Sequence, residues 1–354
     1  MSSLTASPSH KKSAAEQDER VGKKSTLSIL LGRPEIGALV GAVALFVFFA
    51  IVAPVFLSPA SLATVLYGAS TIGIMAVGVS LLMIGGEFDL STGVAVISSA
   101  LSASLISWYF GMNVWVGVVL ALVVSLLIGF INGIILIKTK LPSFIVTLAS
   151  FLMLTGLNLG LTRAIGGSVS SPSIADMDGF QSAKAVFASS VSIAGIDVKV
   201  TVFIWIALVI VASWILLRTK VGNWIFAIGG DEKAARAVGV PVVRTKIGLF
   251  MAVGFCGWVL GMHNLFAFDA VQSGEGIGNE FLYIIAAVIG GCLLTGGYGS
   301  AIGGAIGAFI FGMANKGIVY ADWNPDWFKF FLGLMLLLAT VVNIVVKKRA
   351  ESSK

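Results

Sequence analysis

Again and again this chain runs apolar for about twenty residues with hardly a charge, and that recurrence limits its fold more than any other feature. Crossing ~30 Å of hydrocarbon as a helix takes about 20 residues. Runs of that length, or approaching it, cover 37–57, 62–84, 92–110, 114–137, 143–162, 200–217, 247–268, 282–295, 302–320 and 327–346, the eighth being the shortest. Lipid cannot satisfy backbone amides, so such runs must bond internally as helices. The predicted class is therefore all-α: a polytopic membrane protein of about ten transmembrane helices. Charged residues make up 11% of the chain and mean hydropathy is +1.00, far from the ~25% charge of a soluble domain.

Basic residues orient the spans. With an even number of crossings and both termini cytoplasmic, Lys138, Lys140, Arg218, Lys220, Lys233, Arg236, Arg244, Lys246, Lys347, Lys348 and Arg349 all fall inside. The outer segments keep only Arg163, Lys184, Lys199, Lys316 and Lys329, alongside the acids Asp176, Asp178, Asp197, Asp269, Glu275, Glu280, Asp322 and Asp326, as the positive-inside bias requires. Trp108, Tyr109, Trp115, Trp323 and Trp327 sit at predicted outer ends, where an interfacial aromatic belt belongs. The net charge of +6 thus follows topology and implies no nucleic acid partner. A multi-pass protein of the cell (inner/plasma) membrane, in contact with lipid, is expected. Residues 1–35, rich in Ser and Lys, read as a disordered cytoplasmic tail, and 347–354 as a short basic one. The longest outer loop, 163–199, carries either a short helix or a plain connection. Cys256 and Cys292 lie in apolar runs without metal-like or redox-like spacing and read as small packing residues.

The spans lack the groups of a catalyst. No His, Asp and Glu constellation suggests a hydrolase or a metal site, and neither cofactor nor metal is expected. His263, beside Asn264, reads as a polar contact between helices. Glu87 and Asp89 are the acids at membrane depth, so an ion-gradient-coupled secondary transporter of a small polar solute, the alternative reading, would have to use one of them. Both lie in Gly85-Gly86-Glu87-Phe88-Asp89-Leu90-Ser91-Thr92, where two glycines permit a reversal and Asp89 or Ser91 can cap the next helix. This is either a capped turn at the inner interface or a turn that dips inward to line a polar path. In the fifth span Thr147, Ser150, Thr155, Asn158 and Thr162 share an arc of about 140° at 100° per residue. That stripe suits the hydroxyls of an uncharged solute or bonds between helices. The pairs Gly129 with Gly133, Gly156 with Gly160 and Gly303 with Gly307 have small-xxx-small spacing for close helix contact.

The loop over 218–246 is different in kind. Asp231 is a helix N-cap, Glu232 lies in the first turn, Arg236 in the last, Gly239 is a stop and Pro241 forbids continuation. A helix of about two turns is marginal alone, so Ala234, Ala235 and Val238 require something to pack on: membrane, the spans, or a soluble protein.

Taken in order, the motifs resemble those of the permease subunits of monosaccharide (ribose, xylose and galactose-type) ABC importers. Gly85-Gly86-Glu87-Phe88-Asp89-Leu90-Ser91-Thr92-Gly93 is similar to that family's GG-x-x-DLS-x-G, and Lys140-Leu141-Pro142-Ser143-Phe144-Ile145-Val146-Thr147-Leu148 to its KLPPFIVTL. Ala227-Ile228-Gly229-Gly230-Asp231 onward looks like its loop motif A-x-GGN-x-x-AA-x-x-SGI. Ile285-Ala286-Ala287-Val288-Ile289-Gly290-Gly291 and Gly296-Gly297-Tyr298-Gly299-Ser300 match its IAAV-x-GG and GG-x-GS. The resemblance implies a permease domain over 36–346 that forms the translocation path for a monosaccharide or polyol. It also implies a second permease chain, a cytoplasmic ABC ATPase bound through Gly230, Asp231, Glu232, Ala234, Ala235, Arg236, Val238 and Gly239 as a coupling helix, and an extracytoplasmic sugar-binding protein. Glu87, Asp89, Thr147, Ser150, Thr155 and Asn158 are the residues expected along the path. The chain has no G-x-x-x-x-G-K-[ST] loop and is expected to hydrolyse nothing itself. Glu280-Phe281-Leu282-Tyr283 departs from the family pattern at what is expected to be the outer mouth.

Overall fold

The computed structural model describes the backbone of residues 34–352 and the side chains of residues 35–341. All the predicted runs are helical over most of their length. In chain order they are α1 (Pro34–Val52), α2 (Pro59–Ile84), α3 (Thr92–Phe110), α4 (Val114–Thr139), α5 (Ser143–Gly166), α7 (Val200–Arg218), α10 (Val242–Phe268), α11 (Asn279–Ile289), α12 (Ala301–Tyr320) and α13 (Phe328–Ser352). Between them lie α6 (Phe180–Phe187), α8 (Lys220–Gly230), α9 (Glu232–Ala237) and a hairpin of β1 (Ser190–Ile193) and β2 (Ile196–Lys199). Among the described residues eight helices are long and apolar enough to cross a membrane, and the fold is that of a multi-pass membrane protein.

Several boundaries differ from expectation. The run 37–57 is not one helix, because Pro54 has no amide hydrogen to donate and α1 ends at Val52 before a short 3-10 turn. The run 282–295 does not span: α11 has 11 residues, about 16 Å at 1.5 Å per residue, and Gly290-Gly291 ends it. The loop over 163–199 is folded, with α6 and an antiparallel hairpin turning at Ala194-Gly195. Most of the predicted tail 1–35 lies outside the described residues, whereas the backbone of α13 continues to Ser352 through most of the segment read as a basic tail.

Burial separates a centre from a rim. The most apolar 18-residue windows of α2, α3 and α10 are each 72% buried and that of α12 61%, against 17% for α1 and 22% for α5. Glycines make the centre tight. A methyl group on Gly129 would lie 2.3 Å from the Phe250 carbonyl oxygen, and one on Gly307 1.9 Å from that of Ala286. Two of the three small-xxx-small pairs therefore seat one backbone on another. Gly156 and Gly160, on the open face of α5, have nothing within 4 Å.

Between α2 and α3 the chain is not helical over residues 87–91, and it climbs beside α5. The Phe88 amide donates to Ser143 Oγ (3.1 Å) and the Leu90 amide to Thr147 Oγ1 (3.1 Å), groups one helical turn apart. Side chains of α5 thus satisfy amides that lipid could not. Higher up, Gly93 packs against Gly276, a methyl on Gly276 meeting the Gly93 carbonyl oxygen at 2.2 Å. The half-length helix α11 starts beside the first turn of α3.

Candidate functional site

The loop over 218–246 is built locally as its sequence suggests. Thr219 caps α8, accepting from the Gly222 amide (3.3 Å), and α8 buries Ile225 and Ile228. Asp231 is extended, and its Oδ1 accepts from the Lys233 amide (2.8 Å) and the Ala234 amide (3.0 Å), capping α9. At the far end the Val240 amide bonds to the Ala235 carbonyl (3.0 Å) and the Gly239 amide to that of Arg236 (3.1 Å). This is a Schellman closure, made possible by Gly239 at φ 84°.

One face of α9 packs inward and the other is free. Ala235 is buried with Ile228 and Val242, so it anchors the helix. Val238, by contrast, is 80% exposed, and Ala234, Arg236 and Ala237 are exposed beside it. Arg236 Nη2 donates to Glu232 Oε1 at 2.9 Å along the helix. A hydrogen bond from Lys246 holds the Glu232 carboxyl below the usual range, against desolvation and with help from Arg236.

Beneath α9 three glycine pairs from distant parts of the sequence meet. Gly229 lies so close to Ile84 that a methyl group there would sit 1.8 Å from its carbonyl oxygen, and one on Gly296 would sit 2.7 Å from Gly86 Cα. The Gly297 amide donates to the Ile84 carbonyl at 2.8 Å. Gly86, Gly296 and Gly297 all have positive φ, at 84°, 78° and 71°, a backbone state that side chains rarely adopt. Beside this junction Lys246 is 6% exposed. Its Nζ donates to Glu87 Oε1 and, at 2.6 Å, to Glu232 Oε2. Glu87 is therefore paired with Lys246 at the loop.

The other residues expected along a path are drawn into the chain's own framework. Asp89 Oδ1 accepts from the Ser91 amide (2.8 Å) and hydroxyl (2.5 Å); Ser91 itself makes no side-chain cap on α3. Asn132 of α4 donates to Ser91 Oγ (3.1 Å) and accepts from Ser150 (2.5 Å). Thr147 is fully buried between Leu90 and the Ser143 carbonyl. Asn158 accepts from Ser98 (2.8 Å) and donates to the Val94 carbonyl (3.2 Å). Thr155 is half-buried and bonds back to the Phe151 carbonyl at 2.7 Å. Five of the six belong to two hydrogen-bonded groups, around Lys246 and around α3 to α5, and Thr155 stands apart.

Two further polar residues are packing groups. His263 is buried, its Nδ1 on the Phe187 carbonyl (2.9 Å) and its Nε2 on the Tyr67 hydroxyl (3.0 Å). Glu280 is 3% exposed, accepting from the Gly278 amide next to Gly93. Among the described residues no group of three or more His, Cys, Asp or Glu could hold a metal. Sequence reasoning passed over Lys246, counted only as an inner charge, and Asn132. A lone Asn in the apolar run 114–137 was the available signal for the second; nothing local marked the first.

The geometry can be set beside known proteins. Residues 61–340 match the family described as branched-chain amino acid transport system / permease component. The ribose import permease protein RbsC of Escherichia coli (strain K12) is 30% identical over 307 residues, 85% of this chain and 92% of that protein. The galactose/methyl galactoside import permease protein MglC of Haemophilus influenzae is 28% identical, over 82% of this chain and 88% of its own length. The fructose import permease protein FrcC of Rhizobium meliloti is 26% identical, over 88% and 85%. No solved structure matches. These likenesses run along nearly the whole of each chain and do not favour the gradient-driven alternative, so the chain belongs to the permease-component family and, within it, to the permeases of sugar ABC importers.

Proposed function

We propose that this chain carries a monosaccharide or polyol across the cell membrane as one permease subunit of an ATP-driven importer, and that α9 is the helix on which a separate cytoplasmic ATPase docks. The observation that carries this reading is the build of α9. It is capped at both ends, anchored by Ala235 and presents Val238, Ala234 and Arg236 outward, with nothing among the described residues covering them. An apolar side chain 80% exposed on a short helix is the kind of anchor a partner groove receives. Gly230, Asp231, Glu232 and Gly239 then hold the dock in shape, and residues 36–346 act as one permease domain, with the flanking segments as cytoplasmic tails.

The relatives named for ribose, galactose and fructose import support a small sugar as cargo, delivered from outside by a sugar-binding protein. The open face of α5, where Gly156 and Gly160 have no neighbour within 4 Å, supports a second copy of the chain there, with the path running between the two copies beside Thr155. Asp89, Thr147, Ser150 and Asn158 hold α5 in place for that path, and Glu87 serves the loop.

The test is purification of the tagged chain from its own host in mild detergent, with its partners identified by mass spectrometry. An ATPase with a phosphate-binding GxxxxGK[ST] loop is expected in stoichiometric amount. Arg236→Glu puts two acids one turn apart on α9, and should release that ATPase and abolish sugar uptake while the chain stays in the membrane. Normal uptake by this variant would overturn the docking assignment.

A further inference from the structure

We infer that Lys246 is a positioning residue that ties the docking helix α9 to the membrane segment 85–91, so that displacement of the dock is delivered to α2 and α3 through Glu87. This rests on the reading of α9 as the ATPase dock.

Three elements meet at one ammonium group. Lys246 lies in the second turn of α10, Glu87 follows α2, and Glu232 opens α9; the Nζ group donates to a carboxylate of each of the other two. The other ion pairs among the described residues are at the surface, Lys184 with Asp269 and Arg236 with Glu232 having side chains 38% to 58% exposed, whereas those of Lys246 and Glu87 are 8% and 10% exposed. Burial decides what such a pair can do. A surface pair can part into water at little cost; a buried carboxylate that loses its cation has no water to replace it. Glu87 must therefore follow Lys246, or the pair must break at high cost. Glu232 places the same ammonium under the control of α9, and Arg236 steadies the far oxygen of Glu232.

The backbone carries a second tie at the same level. Gly229, three residues before α9, rests on Ile84, two residues before Gly86, and the Gly297 amide bonds to the same Ile84 carbonyl. Above the tie, the amides of Phe88 and Leu90 are held by α5. A pull on Glu87 thus reaches a segment already joined to the helix with the open face. Without Lys246 the junction still holds the loop on the spans, but movement of α9 is no longer tied to the turn.

The experiment uses the full chain with the ATPase that co-purifies from its host, in proteoliposomes, and radiolabelled pentoses, hexoses and polyols as a panel. Two quantities are read: ATPase retained per permease, and ATP hydrolysed per sugar moved. Lys246→Met and Glu87→Gln should each keep the ATPase at wild-type stoichiometry yet raise ATP used per sugar at least fivefold. The double variant should be no worse than the worse single within twofold, because both cut one link, and Lys246→Arg should restore at least half of the coupling. ATP used per sugar within twofold of wild type in both single variants would overturn the inference. So would loss of ATPase in parallel with uptake, which is what a merely structural lysine predicts. If Lys246→Met does not reach the membrane, Glu87→Gln, which keeps size and hydrogen-bonding capacity, decides by the same two readings. A wild-type complex that retains no ATPase, or moves no sugar of the panel, overturns the proposed function, and the inference falls with it.

Discussion

Gly229 and Gly230 are adjacent residues of α8, yet alanine at the two positions should have opposite effects. A methyl group on Gly229 would lie 1.8 Å from the Ile84 carbonyl oxygen and 2.5 Å from the Gly297 amide nitrogen, whereas around Gly230 nothing lies within 4 Å. Backbone atoms cannot rotate aside. Either the end of α8 moves off the junction or the 2.8 Å bond between Gly297 and Ile84 is broken. Overpacking of this kind costs about 1–3 kcal/mol and a buried donor left unpaired about 1–3 kcal/mol more. Against this, alanine in place of glycine in a helix returns about 1 kcal/mol. The net for Gly229→Ala is a loss of roughly 1–5 kcal/mol, and for Gly230→Ala a gain of up to about 1 kcal/mol. The shift per kcal/mol falls as chains lengthen, to roughly 1–2 °C for 354 residues, so the two variants should differ in thermal midpoint by about 4 °C, with Gly230→Ala the higher. The assay is thermal denaturation in detergent, followed by size-exclusion chromatography with each variant beside wild type. Equal midpoints would show that the glycine contact is slack and that the junction is not a rigid point.

Three other outcomes follow from the same geometry. Val238→Asp should leave the thermal midpoint within about 1 °C of wild type, as exposed substitutions do, while reducing co-purified ATPase at least tenfold; full retention would move the dock elsewhere. Asn132→Leu removes the buried acceptor of Ser150, a loss of about 1–3 kcal/mol, and one of the two side-chain partners of Ser91, which keeps Asp89; it should lower the midpoint by a few degrees, with an unchanged midpoint refuting the role of that network. Because the folded pKa of Glu232 is depressed, its stabilisation of α9 is fully present above the ordinary carboxylate range near ~4.3 and is lost as pH falls through the lowered value. Hydrogen exchange of α9, corrected for intrinsic rate, should be flat from pH 8 to pH 5 and rise only in stronger acid, and Glu232→Gln should abolish that rise; a rise already at pH 6 would contradict it.

What the sequence made legible was local. Asp231 caps α9 and Gly239 closes it because the signals lie within four residues of the amides and carbonyls they satisfy. The long spans were equally plain, since nothing but helix fits twenty apolar residues in lipid. The half-length of α11 was not, because the run 282–295 stays apolar through Gly290-Gly291 and hydropathy does not register where a helix stops. The β1 to β2 hairpin, of four residues a side, is too short for its alternation to stand out. The arc of Thr147, Ser150 and Asn158 was read correctly as one face of a helix, but what it faces depends on Leu90, Asn132 and Ser98, which lie on other elements. Lys246 was opaque for the same reason: its partner Glu87 is 159 residues away.

The short span of α11 sets where this chain tolerates a change of length. A helix of 11 residues reaches the inner turn at Gly290 only because residues 269–278 descend first, seated on the outer loop by bonds from Ser171 to Val271 and from Ser273 to Val169 and on α3 at Gly93. Each residue of that descent is counted: one more would lower Glu280 past Gly93 and turn the buried face of α11 toward its neighbours by 100°. The hairpin turn at Ala194-Gly195, whose Gly195 has nothing within 4 Å, bears no such constraint. Insertions among related chains should therefore gather at that turn and be missing between Asp269 and Gly278.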